Sequence, residues 1–170
     1  QEGIRRTGGA ALRQATALGR VSPSDSQDVI RMQQQVAAGG FTGAGSRRAL
    51  AAAMDVQAIN SMDPTSGRRF LIGLSQMRGR ARLNDQDINQ TAEAAGIGPQ
   101  AVLRRAAVLA GINRRTGESD RAYDNRVQQA RRAGRITGQH GVTAVEQELS
   151  ARTGQGLGGA ARTLGQSSLS

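Results

Sequence analysis

The stretch "RGRARLNDQDINQTAEAAGIGP", residues 78–99, decides the fold. An arginine-rich turn leads to Asn84, whose short side chain can cap the free amides at a helix start. A helix of polar and small residues follows. Gly96-Ile97-Gly98-Pro99 then closes it and opens the next, with Gly past the end of one helix and Pro at the start of another. The same grammar occurs twice more, in "LGRVSPSD" (18–25) and "AGRITGQH" (133–140). Each copy sets Arg, one aliphatic residue and a capping residue between two helices. The aliphatic residues Val21, Leu83 and Ile136 can plug a core while Ser22, Asn84 or Thr137 turns the chain. The copies are too unevenly spaced for a solenoid.

Outward from this stretch the chain reads as a string of short helices. Gly3 to Leu18 is a weak first candidate. A second starts near Ser24, with Gln27 in capping-box spacing, carries Val29, Met32 and Val36 on one face and stops at Gly39-Gly40. A third runs from about Ser46 to Asn60 with Leu50 and Met54 aligned. Asp63-Pro64 caps and opens a fourth, whose stripe is Phe70, Leu74 and Met77. Beyond the helix that carries Ile88, Pro99 opens one with Val102, Ala106 and Leu109, closed by Gly111. Ser119 caps another with Tyr123, Val127 and Ala130, ended by Gly134. The last carries Val142, Val145 and Leu149, with Gly154 beyond it. Strand signals are almost absent, so the expected fold is all-α: an array of short helices joined by Gly/Arg-rich turns over a small-residue core. The expected division is 1–45 as loosely packed N-terminal helices, 46–153 as the main helical region and 154–170 as a Gly/Ser-rich linker or tail.

Composition limits the rest. The 170 residues include two Phe, one Tyr and no Trp, so the core must rely on Ala, Leu and Val, and modest stability is expected. The absence of Cys excludes a disulfide framework and thiolate metal sites. No apolar run approaches the roughly 20 residues that span a bilayer, and no signal peptide opens the chain. It begins at Gln1, which reads as a processed product or a piece of something longer. All 23 basic residues are Arg, giving a net charge of +10. The lack of Lys reads as a GC-rich coding bias, yet the charge favours polyanions whatever its origin.

Catalytic chemistry finds little support. His140, the lone histidine, reads as a surface residue in a turn. Glu146 and Glu148 are two apart on a helix and point to different sides, solvated or paired with Arg152. "DQDINQTAE" from Asp85 lacks the glycine and the twelfth-position Glu of a calcium loop. No metal, cofactor or catalytic residue is assigned, and an enzyme is not expected. Arg-Arg pairs such as Arg68-Arg69, Arg104-Arg105 and Arg131-Arg132 broaden basic edges without forming clamps. With Arg78, Arg80, Arg82 and Arg135 they are the candidate polyanion or partner contacts. They read mostly as solvated faces, so that exchanging Arg104 and Arg105 for Gln should leave folding intact. Three aromatics cannot make a single-strand stacking platform.

Phe70 to Leu103 resembles the recurring segment of bacteriophage tail tape measure proteins. In that family a helix ends in a "G-K-[LV]-[ST]" turn and leads into "x-E-L-x-Q-L-x-E-x-G-I-P". Here Arg80-Ala81-Arg82-Leu83-Asn84 supplies the turn, Asp87-Ile88, Gln90 and Glu93 the helix, and Gly96-Ile97 with Pro99 the close. Ala130 to Ser170 resembles the family's later segment, in the same order along the chain: a "G-K-[VI]-[ST]" turn, a helix with Ala then Leu, a Gly-Gly step and a polar tail. Arg replaces Lys throughout, Gly98 is inserted, and Thr91 stands where an aliphatic residue is usual.

The resemblance implies a structural, non-enzymatic virion protein in the tail lumen or tail tip. It sets tail length during assembly and is released as DNA is ejected. The implied partners are tail tube and tail tip proteins and further copies of the chain around the tail axis. Non-specific DNA contact and, only on ejection, host membrane contact complete the set. Even as one helix, 170 residues span about 255 Å at 1.5 Å per residue, so a long-tail ruler needs more chain. Two rivals stay open: an internal ejection protein of a short-tailed phage, and an Arg-rich helical DNA-binding protein. The packing motif expected is Phe70, Leu74, Met77, Leu83, Asn84, Ile88, Gly96, Ile97, Pro99, Ile136 and Leu149. Leu83 is expected to lie against Val102 and Leu109.

Overall fold

A computed structural model describes residues 26–60, 63–154, 156 and 158. Among them are seven helices and no strand: α1 (Ser26–Ala38), α2 (Gly43–Ile59), α3 (Pro64–Arg78), α4 (Asp85–Ala95), α5 (Pro99–Leu109), α6 (Asp120–Arg132) and α7 (Gly138–Thr153). The expected helix 3–18, the Ser24 cap and the turn copy at Val21-Ser22 lie outside the described residues, as does nearly all of the expected 154–170 linker.

Local chemistry sets the helix ends. The side chains of Asp63, Asn84, Ser119 and Thr137 each accept a backbone N–H in the first turn of α3, α4, α6 and α7. Each satisfies an amide that the helix itself leaves without a partner. Gly96 and Gly154 close α4 and α7 in the left-handed region that a Cβ disfavours, at φ 67° and 69°. The third expected helix begins at Gly43, ahead of Ser46, because Thr42 already has the extended backbone of an N-cap.

Helix α3 is the hub, packed on α1, α2, α4 and α7. Its stripe Phe70, Leu74 and Met77 is fully buried, and Leu71 joins it. Small residues let the neighbours come close. The buried face of α2 sets Ala49, Ala52 and Ala53 among Leu50, Met54 and Val56, and Gly73 of α3 lies directly against Thr91 of α4. That glycine leaves the room that the β-branched Thr91 needs. The buried Thr91 hydroxyl donates to the Asp87 carbonyl at 2.7 Å, so no polar group is stranded. Helix α1 buries Val29, Met32 and Val36 in the same core.

Leu109 is the exception among the expected core residues. Helix α5 turns Val102, Leu103, Ala106 and Ala107 inward and leaves Val108 and Leu109 53% and 37% exposed. The run Ala106–Ala110 is apolar on every side, so periodicity could not choose its inner face. Close packing selects the small Ala107 over Leu109. Leu83 meets the α6–α7 turn rather than Leu109. Truncating the hub's central side chain, Leu74→Ala, is expected to cost about 2 kcal/mol or more. A urea unfolding midpoint unchanged from wild type would contradict that placement.

Candidate functional site

The structure brings two copies of the repeated turn onto each other. The Leu83 N–H donates to the Ile136 carbonyl at 3.0 Å, and the Gly138 N–H donates to the Arg80 carbonyl at 3.1 Å. Leu83 and Ile136 are both buried beneath this clasp. Gly138 and Gly141 permit the approach. A Cβ on Gly138 would run into the backbone of Met77 and Arg80, and one on Gly141 would meet the side chains of Met77 and Leu83. Sequence reading identified the turns but not their pairing. The available signal was glycine at 138 and 141, on the face of α7 that sits on the α3–α4 turn.

His140 is not a turn residue. It is the third residue of α7 and completes a capping box: Thr137 N–H donates to His140 Nδ1 at 3.0 Å, while Thr137 Oγ1 accepts from His140 N–H at 3.2 Å. Histidine takes the place that Glu or Gln holds in the usual box.

The candidate arginines divide into three groups. Arg80, Arg82, Arg131, Arg132 and Arg135 gather around the clasp. Arg80 bonds the buried Asp87 at 3.0 Å, and Arg131 bonds Asp85 at 3.1 Å and reaches the Leu83 carbonyl. Arg82 lies against Gly134, and Arg132 and Arg135 are exposed with no ion pair among the described residues. Arg68 and Arg69 are likewise exposed and unpaired among the described residues, early in α3. Arg78, at the end of α3, sits over the Phe41 ring 5.5 Å from its centre.

Arg104 and Arg105 form the third group and are more than solvated faces. Arg104 makes a two-pronged pair with Asp124 at 3.0 and 2.9 Å, which ties α5 to α6. Hydrogen bonding to Arg104 lowers the Asp124 pKa, and the same bond raises that of Arg104. Arg105 bonds Glu148 at 2.7 Å and ties α5 to α7. Both arginines edge a cleft of about 510 Å³ floored by Val108, Leu109 and Tyr123. Sequence spacing placed these arginines on the surface but could not show acids arriving from later helices.

Glu146 and Glu148 do part to different sides, but neither pairs with Arg152, which instead donates to the Gly96 carbonyl. Glu148 faces Arg105. Glu146 is turned inward toward α2 and is 7% exposed. Its Oε2 has no hydrogen-bond partner, and Arg48 of α2 stands 3.7 Å away, beyond hydrogen-bonding reach. Burial raises its pKa to about 7, and the Arg48 charge offsets this only in part. A second buried acid, Asp55 of α2, accepts the Gly158 N–H at 2.6 Å.

Among the described residues no group of three or more His, Asp or Glu side chains assembles, and no helix is long and apolar enough to cross a membrane. No protein family, curated protein or solved structure matches the chain.

Proposed function

We propose that this chain is a folded region of a bacteriophage tail tape measure protein, a structural component that lies in the tail lumen or tip, sets tail length and leaves as DNA is ejected. The observation that carries the reading is the clasp. The two segments that resemble the family, around Leu83 and around Ile136, are joined by reciprocal backbone hydrogen bonds. Both therefore belong to one packed unit, which supports reading them together as one region of such a protein.

The physical character of the unit suits that role. Its core is rich in alanine and poor in aromatics, so local opening costs comparatively little free energy, which favours release through a narrow channel. Exposed arginines suit contact with acidic stretches of a tube wall. In the virion, several copies surround the tail axis and touch tube or tip proteins, without sequence-specific DNA contact.

In-frame deletion within an extended helical part of the intact gene product is expected to shorten the tail by about 1.5 Å per residue removed. Electron microscopy of mutant particles measures this. Tails of unchanged length would end the ruler reading and leave the internal ejection protein in its place.

A further inference from the structure

Three arginines, Arg115, Arg126 and Arg135, line a hollow of about 340 Å³ together with Gln129 and the apolar Ile112, Ala130 and Ala133. The hollow lies between the α5–α6 connection and the end of α6, beside the clasp. We propose that it is an oxyanion site that takes a phosphate group.

The site is built before any ligand arrives. Arg126 is fixed by Glu118, through Nε at 2.7 Å and Nη2 at 2.8 Å, and by the Asn113 carbonyl at 2.6 Å. Its guanidinium also lies 5.7 Å from the centre of the Tyr123 ring, which leaves Nη1 without a partner among the described residues. Arg135 is placed by the turn that ends α6. Gly134 adopts φ 78°, and the Arg135 N–H closes back on the Ala130 carbonyl at 2.9 Å. With the Gln129 and Arg131 carbonyls also accepting backbone N–H groups, these helix-end acceptors need no arginine to cap them.

The charges do not balance. Among the described residues Glu118 is the one carboxylate bonded to this group, and it is already held by Arg126 and by the Arg115 N–H. The Arg115 and Arg135 guanidiniums have no ion pair among the described residues. Arg115 and Arg135 are exposed and leave this patch with a net positive charge, which attracts an anion to the hollow. Geometry favours phosphate over carboxylate. One arginine fork satisfies the two coplanar oxygens of a carboxylate, whereas three arginines lining one hollow offer donors for an anion with three or more oxygens.

The source of the phosphate is either the free ion or the backbone of nucleic acid, and one set of measurements separates them. The 170-residue chain is compared with R115Q/R135Q and with R68Q/R69Q, which removes the same charge from exposed, unpaired positions on α3. Circular dichroism checks that each variant is folded. The first readout is the thermal midpoint in sodium phosphate against sodium chloride at equal ionic strength. The second is anisotropy of a labelled short DNA duplex across a salt series.

Phosphate should raise the midpoint of wild type and R68Q/R69Q but not of R115Q/R135Q. If the DNA backbone is the source, R115Q/R135Q should also weaken duplex binding by about tenfold or more and reduce the salt-dependence slope by about two, with R68Q/R69Q clearly less affected. Loss of the phosphate effect with duplex binding unchanged assigns the site to the free ion. Equal losses in the two variants would mean general surface charge and overturn the site, as would a wild-type chain indifferent to phosphate. Protection by polyglutamate where phosphate gives none would also overturn it.

Discussion

Gly138→Ala is expected to open the clasp and destabilise the whole helical unit by more than about 3 kcal/mol, the upper end of ordinary overpacking costs. The reason is what surrounds that hydrogen-to-methyl exchange. The added carbon would run into the Met77 carbonyl oxygen and come within 2.7 Å of the Arg80 carbonyl oxygen and 2.9 Å of the Met77 carbonyl carbon. All three atoms are backbone, and a backbone at the end of the hub helix cannot swing aside as a side-chain tip can. Relief requires α7 to lift off the α3–α4 turn, which breaks Gly138 N–H to Arg80 and strains Leu83 N–H to Ile136. Gly45→Ala is the matched control. That residue lies within α2 with only the end of the Arg48 side chain near its added carbon, at 3.9 Å, so the exchange should stabilise by about 0.5–1 kcal/mol. Urea unfolding of the two variants gives the comparison, and a Gly138→Ala midpoint close to wild type would show that the turns are not held as described.

Glu146→Gln should change how stability depends on pH. The carboxyl of Glu146 titrates near 4.5 when the chain is unfolded and at about 7 when folded, because burial penalises the charged form. The folded state therefore holds a proton that the unfolded state has released between these values. Stability falls as pH rises through that window, and the loss levels off above about pH 7. The shift corresponds to about 3 kcal/mol. Glutamine keeps the shape without the titration. The variant should match wild type near pH 4 and exceed it by up to about 3 kcal/mol at pH 8. Identical pH profiles for the two proteins, measured by urea unfolding from pH 4 to 8, would refute the burial of this carboxylate.

Helix ends were legible in the sequence wherever one residue determines them. Asp63, Asn84, Ser119 and Thr137 cap as read, and Gly96 closes α4, because capping depends on atoms within one turn of the chain. The hub stripe Phe70, Leu74 and Met77 was legible for the same reason, since a periodic pattern reports which face is buried. Long-range choices were not. Nothing near Arg105 signals that Glu148 waits on another helix, and nothing near Glu146 signals that α2 will cover it. The inner face of α5 was illegible because its second half is apolar all round. Only the space left by the other helices chooses between Ala107 and Leu109. In the candidate site, the turn residues were evident while their mutual docking was not. Two similar turns do not say that they are partners.

The clasp also sets an order of events. Arg131 grips the Leu83 carbonyl 48 residues earlier, so none of these bonds can form until α4, α5 and α6 have all been made. During synthesis α3 and α4 can pack on each other as soon as both exist, because they are sequence neighbours, while the contacts of Gly138 and Gly141 with Met77, Arg80 and Leu83 wait for α7. Closing so long a loop is a late and entropically costly step. Contacts that form after the folding barrier govern the speed of unfolding more than that of folding. The clasp is therefore expected to behave as a latch: Gly138→Ala should speed unfolding more than it slows folding in stopped-flow urea jumps, and a loss confined to the folding rate would contradict this.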